Sequence, residues 1–230
     1  MAARDAPGWF GKIAALGDFG SRRMEGAWVQ ACDQWLSEGL QVLQQQLGED
    51  WLRGYLAAPV WRFAWAPGVV NTQWWFGVLM PSCDRVGRYF PLLIAQPRAQ
   101  APLDRYALDH LELWWAHLAR AAVATLAEDA SLEHFEDELQ HAPPWPAGGG
   151  PAAPRRLPAA AGERYALAGT ATLNEVMHAL AAASLLQQLA EGSFWWPMSE
   201  PGVPGQCSLW RGLPSAASLA QMLGGPVRAQ

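Results

Sequence analysis

Three charged side chains stand close together near the middle of the chain: Asp84, Arg85 and Arg88. Guanidinium groups bind carboxylate and phosphate groups through two parallel hydrogen bonds, so this set predicts a recognition surface for an acidic or phosphorylated partner. Asp84 can equally bond to one of the arginines and hold the local turn in shape. The two roles are compatible, and the residues by themselves do not choose between them.

Two apolar segments flank these charges and indicate a β-hairpin. Residues 73–80 form a predicted strand that ends at Pro81, which cannot donate to a β-ladder, and residues 88–96 form the return strand. Ser82, Asp84 and Gly87 lie between them and are residues that turns favour. The sequence therefore predicts that the charges sit on an exposed hairpin tip held by two strands.

Four sequence blocks resemble the TagF family of type VI secretion accessory proteins. They are GWFGKI at residues 8–13, GDF at 17–19, WRF at 61–63 and GVLMPSCDRVGRYFPL at 77–92. The match covers about the first hundred residues well and continues loosely through residues 193–196 and 212–214. Long compound motifs of this kind are more specific than short ones. We assign structural roles within these blocks to five residues: Gly11, Gly17, Asp18, Pro81 and Gly87. Ala14 departs from the family pattern, which has proline there.

The resemblance implies a regulator that acts by binding. Members of the family are post-translational regulators of type VI secretion, known as repressors, and are linked to the threonine phosphorylation pathway and to a forkhead-associated scaffold protein. The resemblance thus implies this scaffold as the partner and a three-layer α/β fold. The residues themselves show no recognisable catalytic constellation, so we expect neither a cofactor nor catalysis. Another interpretation is a constitutive structural subunit of the secretion apparatus. Such a subunit would stay with the assembled apparatus on fractionation.

Composition restricts the class of protein further. The 230 residues predict a single domain over 1–230, with 14 tryptophans that we assign mostly to the core. The net charge of −5 argues against a nucleic-acid binder, and the absence of an apolar run of eighteen residues argues against membrane insertion. The three separated cysteines and the lack of a secretory signal predict a cytoplasmic protein without a disulfide framework or zinc site. Lys12 is the only lysine beside fifteen arginines, which we attribute to codon bias.

The order of the predicted elements gives the fold class. Helices are predicted over residues 24–47, 51–56, 103–128, 173–190 and 215–223, and strands over 8–13, 61–65, 73–80, 88–96 and the late hairpin 194–197 with 207–210. The Pro, Gly and Ala content of residues 141–162 predicts a flexible insertion without packed elements. These elements predict an α/β three-layer sandwich with a mixed, largely antiparallel sheet and helices on both faces.

The same residues allow two alternatives to a recognition surface at the hairpin tip. In a metal-dependent phosphate-handling enzyme, Asp18 and Asp84 would hold the ion and Arg88 a phosphoryl group, but such sites usually show several clustered acids. We instead expect Asp18 to bond to the local backbone in a tight turn. Cys83 lacks a base nearby in sequence and is interpreted as an apolar filler.

Adjacent tryptophans offer a second candidate interface. In the pairs 74/75, 114/115 and 195/196, we expect one indole to point inward and the other elsewhere. Trp195 and Trp196 are therefore further candidates for an exposed partner-binding surface.

Overall fold

The computed structural model describes residues 5–102, 104–146, 155–158, 161–162, 164–166, 169, 172–198 and 206–224. Seven strands form one sheet in the spatial order β2-β1-β5-β4-β3-β8-β9. They are β1 (Gly8–Gly11), β2 (Gly20–Arg22), β3 (Trp61–Trp65), β4 (Trp74–Met80), β5 (Leu92–Arg98), β8 (Gly192–Pro197) and β9 (Ser208–Arg211). The strands β6 (Arg155–Leu157) and β7 (Arg164–Ala166) pair with each other, apart from this sheet.

Six α-helices accompany the sheet in the described part of the chain. They are α1 (Gly26–Leu47), α2 (Trp51–Ala57), α3 (Arg105–Ala124), α4 (Leu132–Gln140), α5 (Leu173–Gln188) and α6 (Ala216–Leu223). None of these described helices has the length and apolar character that a membrane crossing requires.

The centre of the sheet is the predicted meander of β3, β4 and β5. Val78 of β4 lies opposite Arg62 of β3 and Ile94 of β5, and both pairings are antiparallel. All seven residues of β4 are buried, because the strand has a neighbour on each side and helices over both faces. The sheet was predicted as mixed and largely antiparallel; its described ladders are all antiparallel.

Alternation along the strands divides the core in two. Trp74, Phe76 and Val78 face the side covered by α3 and α4, whereas Trp75 and Leu79 face the side covered by α1, α2 and α6. On α1 an apolar stripe that includes Trp28, Cys32, Trp35 and Leu43 is buried, and Gly39 allows Leu219 of α6 to approach closely. The predicted three-layer α/β sandwich with helices on both faces is confirmed.

Several element boundaries differ from the predictions. β1 ends at Gly11, and β2 lies at residues 20–22, where no strand was predicted. β5 begins at Leu92 because residues 88–91 belong to the hairpin tip. The long predicted helix ends at Ala124, where the Thr125 hydroxyl bonds back to a backbone carbonyl, and a new helix, α4, begins after Ser131. The Ser131 side chain caps that helix by accepting from the His134 N–H.

The predicted flexible insertion, residues 141–162, lies only partly within the described residues, which omit 147–154 and 159–160. Its described start is packed: the Trp145 ring centroid lies 4.9 Å from that of Phe76 and 5.1 Å from that of Trp114. Trp145, the one tryptophan of this stretch, therefore packs on the core, and residues 155–157 form β6, where no packed element was predicted. A large indole gains more from burial against these rings than the proline-rich backbone loses by ordering.

Candidate functional site

The hairpin between β4 and β5 extends beyond the sheet as a narrow turn. Cys83 and Tyr89 form an isolated antiparallel bridge, and the Asp84 N–H donates to the Arg88 carbonyl oxygen at 3.0 Å. Gly87 has a φ of +82°, in the left-handed region that glycine adopts at low cost. The turn therefore closes over Asp84.

Asp84 is the centre of this turn. Its Oδ1 accepts from the backbone N–H groups of Val86 at 3.1 Å and Arg88 at 2.9 Å. Its Oδ2 accepts from Lys12 Nζ at 2.8 Å and from Arg88 Nε at 2.7 Å. The side chain is fully buried, so the expectation that Asp84 presents its carboxylate to a partner is wrong. The alternative bracing role, through Arg88, is what the structure shows.

The charge of Asp84 is fixed by its surroundings. Burial would raise the pKa of this carboxyl, but the hydrogen bonds from Lys12 and Arg88 outweigh it and hold the pKa far below its usual range. Asp84 is therefore ionised and paired with two cations. A buried carboxylate in this arrangement is already committed to protein donors on both oxygens.

Arg88 joins this turn to the one after β1. Its Nη2 donates to the Gly17 carbonyl oxygen at 2.7 Å and lies 3.4 Å from Asp18 Oδ1. Asp18 Oδ1 also accepts from the Phe19 N–H at 2.8 Å, which confirms its predicted role in a tight turn. Arg88 thus lies between the two carboxylates that the alternative enzyme model required to share a metal ion. Within the described residues, no group of three or more potential metal ligands occurs.

An exposed surface remains around this braced turn. We define the tip surface as Phe19, Arg85, Val86 and Arg88. Phe19 and Val86 are 47% and 66% exposed, and both arginines are exposed as well. The Arg85 N–H donates to the Leu16 carbonyl oxygen, which fixes the backbone beneath its side chain. The tip surface therefore presents two cations and two apolar side chains on a rigid support.

Lys12 and Tyr55 support the tip, and the sequence analysis missed both. Lys12 is 4% exposed, its Nζ lies 4.8 Å from the centre of the Phe19 ring, and it forms a buried ion pair with Asp84. The Tyr55 hydroxyl accepts from the Ser82 N–H and donates to the Ser82 carbonyl oxygen. A single lysine beside an apolar strand was a signal for Lys12; nothing local indicated Tyr55.

The structure places the two other candidate residues away from this tip. Trp195 is fully buried, and its Nε1 donates to Ser193 Oγ, so the expectation that it is exposed is wrong. Trp196 points to the opposite face, as alternation along a strand requires. There it is half-buried against Trp115, with the Arg62 guanidinium 5.1 Å from its ring.

Cys83 at the neck of the hairpin has the character of a filler. It is half-buried, and burial followed by the neighbouring Asp84 charge raises the pKa of its thiol. A raised pKa keeps the thiol protonated and poorly nucleophilic.

Comparisons with known proteins agree with this architecture. The family model described as the TagF N-terminal domain, type VI secretion system-associated, matches residues 8–142, which run from β1 beyond the end of α4. The crystal structure of PA0076 from Pseudomonas aeruginosa PAO1 is similar with a TM-score of 0.74 and 31% sequence identity, over 98% of this chain and 97% of that one. A search of curated proteins gives no significant match. With more than half of its length matched, including the whole hairpin, the chain belongs to the TagF family of type VI secretion system-associated proteins.

Proposed function

We propose that this protein is a cytoplasmic, post-translational repressor of type VI secretion that binds the forkhead-associated scaffold protein of the threonine phosphorylation pathway. Family membership supports the connection to type VI secretion. The observation that carries the binding mechanism is the tip surface, where Arg85 and Arg88 are exposed above the buried ion pair of Lys12 with Asp84. Binding holds the scaffold away from the secretion apparatus, which then does not assemble.

The two arginines have different parts in this proposal. Arg88 is held by Asp84 and by the Gly17 carbonyl oxygen, yet its side chain is 54% exposed. Arg85 forms no ion pair with a described residue. A fixed guanidinium loses little conformational entropy on binding, and arginine beside exposed apolar groups is enriched at binding hot spots. The partner surface is therefore acidic or phosphorylated.

Substitution of Arg85 tests the proposal most cleanly. Arg85→Glu should weaken binding to the purified scaffold at least tenfold in calorimetry, because it places a carboxylate against an anionic surface. The melting temperature should stay nearly unchanged, since Arg85 is exposed and contributes only its backbone to the fold. Arg53→Glu is the control: that side chain is 81% exposed on α2, and its ion pair with the exposed Asp50 contributes little to stability. Equal affinities of Arg85→Glu and the unaltered protein, with equal melting temperatures, would remove the tip from the interface.

Secretion assays in the native bacterium test the regulatory direction separately. Deleting the gene should increase secretion of a type VI substrate, and the Arg53→Glu protein should restore repression while Arg85→Glu should not. Decreased secretion after deletion would contradict repression. Full repression by an Arg85→Glu protein that no longer binds the scaffold would separate binding from regulation.

A further inference from the structure

A groove of about 730 Å³ lies beside the tip surface. The hairpin and the segment after β1 border one side, and the connection from α3 to α4 borders the other. Its apolar lining is made by small and branched side chains from both sides: Ala14, Ala15, Leu126, Ala127, Ala130 and Leu132. Leu126 is 46% exposed, so the groove offers apolar surface that the described residues leave uncovered.

Charges of opposite sign border this apolar lining. Arg85 lies on the hairpin side, and Glu128 and Glu133 lie on the helical side. None of the three forms an ion pair with any residue that the structure describes. Asp84 also borders the groove, but Lys12 and Arg88 compensate its charge. The helical side thus presents two carboxylates that lack a cationic partner within the described chain.

We infer that this groove binds a segment of a partner protein in which a basic side chain stands next to apolar ones. The apolar side chains cover Leu126 and Leu132, and the basic side chain pairs with Glu128 and Glu133. Unpaired carboxylates beside an apolar lining repel phosphate groups, which distinguishes this ligand from the anionic surface proposed for the tip. The groove and the tip surface share Arg85 at their border, and the preference for a basic side chain belongs to the helical side of the groove. The inference does not depend on which protein the tip binds.

A peptide titration with the full chain tests the groove directly. The probe is the blocked pentapeptide Gly-Arg-Leu-Leu-Gly, and its matched counterpart has Glu in place of Arg. Methyl resonances of Ala14, Ala15, Leu126 and Leu132 should shift saturably with the Arg peptide, and the Glu peptide should bind at least tenfold more weakly. Absence of these shifts, equal affinity of both peptides, or shifts confined to another surface would overturn the inference.

Reversing the charges on the helical side of the groove provides a second test. The double variant Glu128→Lys, Glu133→Lys should reverse the preference, so that the Glu peptide binds more tightly than the Arg peptide. The same charge change on α1, Asp33→Lys with Glu38→Lys, should leave the native preference intact. A Glu128→Gln, Glu133→Gln variant removes the charges with little change of shape and should lose the preference, which keeps the test valid if the reversed variant does not fold. Retention of the native preference in either groove variant would overturn the proposal.

Discussion

Replacing Tyr55 by phenylalanine removes the hydroxyl group that holds the base of the hairpin. That hydroxyl lies 2.8 Å from the Ser82 nitrogen, from which it accepts, and 3.1 Å from the Ser82 carbonyl oxygen, to which it donates. The carbonyl oxygen retains a second donor, the Phe90 N–H at 3.1 Å, so its loss costs little. The Ser82 N–H has no other acceptor among the described residues.

The expected cost follows from that unpaired donor. Tyr55 and Ser82 are buried, and a buried N–H left without a partner costs about 1–3 kcal/mol. Phenylalanine fills the same space, so no cavity adds to the cost. We therefore expect Tyr55→Phe to lower the free energy of unfolding by about 2 kcal/mol.

Urea denaturation followed by tryptophan fluorescence measures this change. The denaturant slope should stay constant, so that the shift of the midpoint reports stability alone. Tyr106→Phe is the matched control: Tyr106 is 81% exposed and should change stability by less than about 0.5 kcal/mol. Amide exchange of Ser82 should accelerate in Tyr55→Phe. A stability loss below about 0.5 kcal/mol, or an unchanged exchange rate at Ser82, would refute the reasoning.

Three further predictions concern acid stability and the segment around Trp145. Burial would raise the pKa of Glu136, but hydrogen bonds from Arg23 and Trp9 lower it, and the pKa of Asp84 is lowered as well. Both carboxyls therefore stabilise the fold above their unfolded pKa of about 4, and this contribution is lost as the pH falls below that value. Urea unfolding measured from pH 7 to pH 2 should show the free energy of unfolding decline. An equal decline with pH in Asp84→Asn would contradict the contribution of Asp84. Trp145→Ala should cost about 2 kcal/mol, because the half-buried indole loses its contacts with Phe76 and Trp114. Replacing residues 147–161 by a short Gly/Ser linker also removes β6, but β6 pairs with β7 apart from the seven-stranded sheet, so the melting temperature should stay nearly unchanged. A drop of several degrees in the linker variant would show that the replaced segment contributes to the packing of the fold.

Much of the architecture was predictable because it depends on local patterns. The strand Trp61–Trp65 has the predicted boundaries, and α5 begins at Leu173 as predicted, after a capping box formed by Thr172 and Glu175. The spacing of apolar residues in α1 and the turn-forming residues of the hairpin also indicated these elements from the sequence. Each of these signals is contained within one element or one turn, where side-chain spacing and backbone preference act over a few residues.

The orientation of neighbouring tryptophans was only partly predictable. Alternation places Trp195 and Trp196 on opposite faces of β8, but both faces of the sheet are covered, so neither indole becomes a free surface. Trp114 and Trp115 both point inward, contrary to expectation. Trp114 lies against Trp145, and Trp115 lies against Trp196. A helix that packs on two neighbours buries a wider arc than one apolar stripe indicates.

The candidate site likewise combines features that are local in the sequence with contacts between distant residues. The sequence by itself determined that Asp84, Arg85 and Arg88 share a short hairpin between two buried strands, because turn chemistry and apolar alternation are local. Only the tertiary structure decided that Asp84 is buried, because its partner Lys12 lies 72 residues earlier in the chain. An ion pair between distant residues produces no periodic pattern of residue types in either segment. It forms because the paired strands β1 and β5 bring the two turns together, where a buried carboxylate requires a cation.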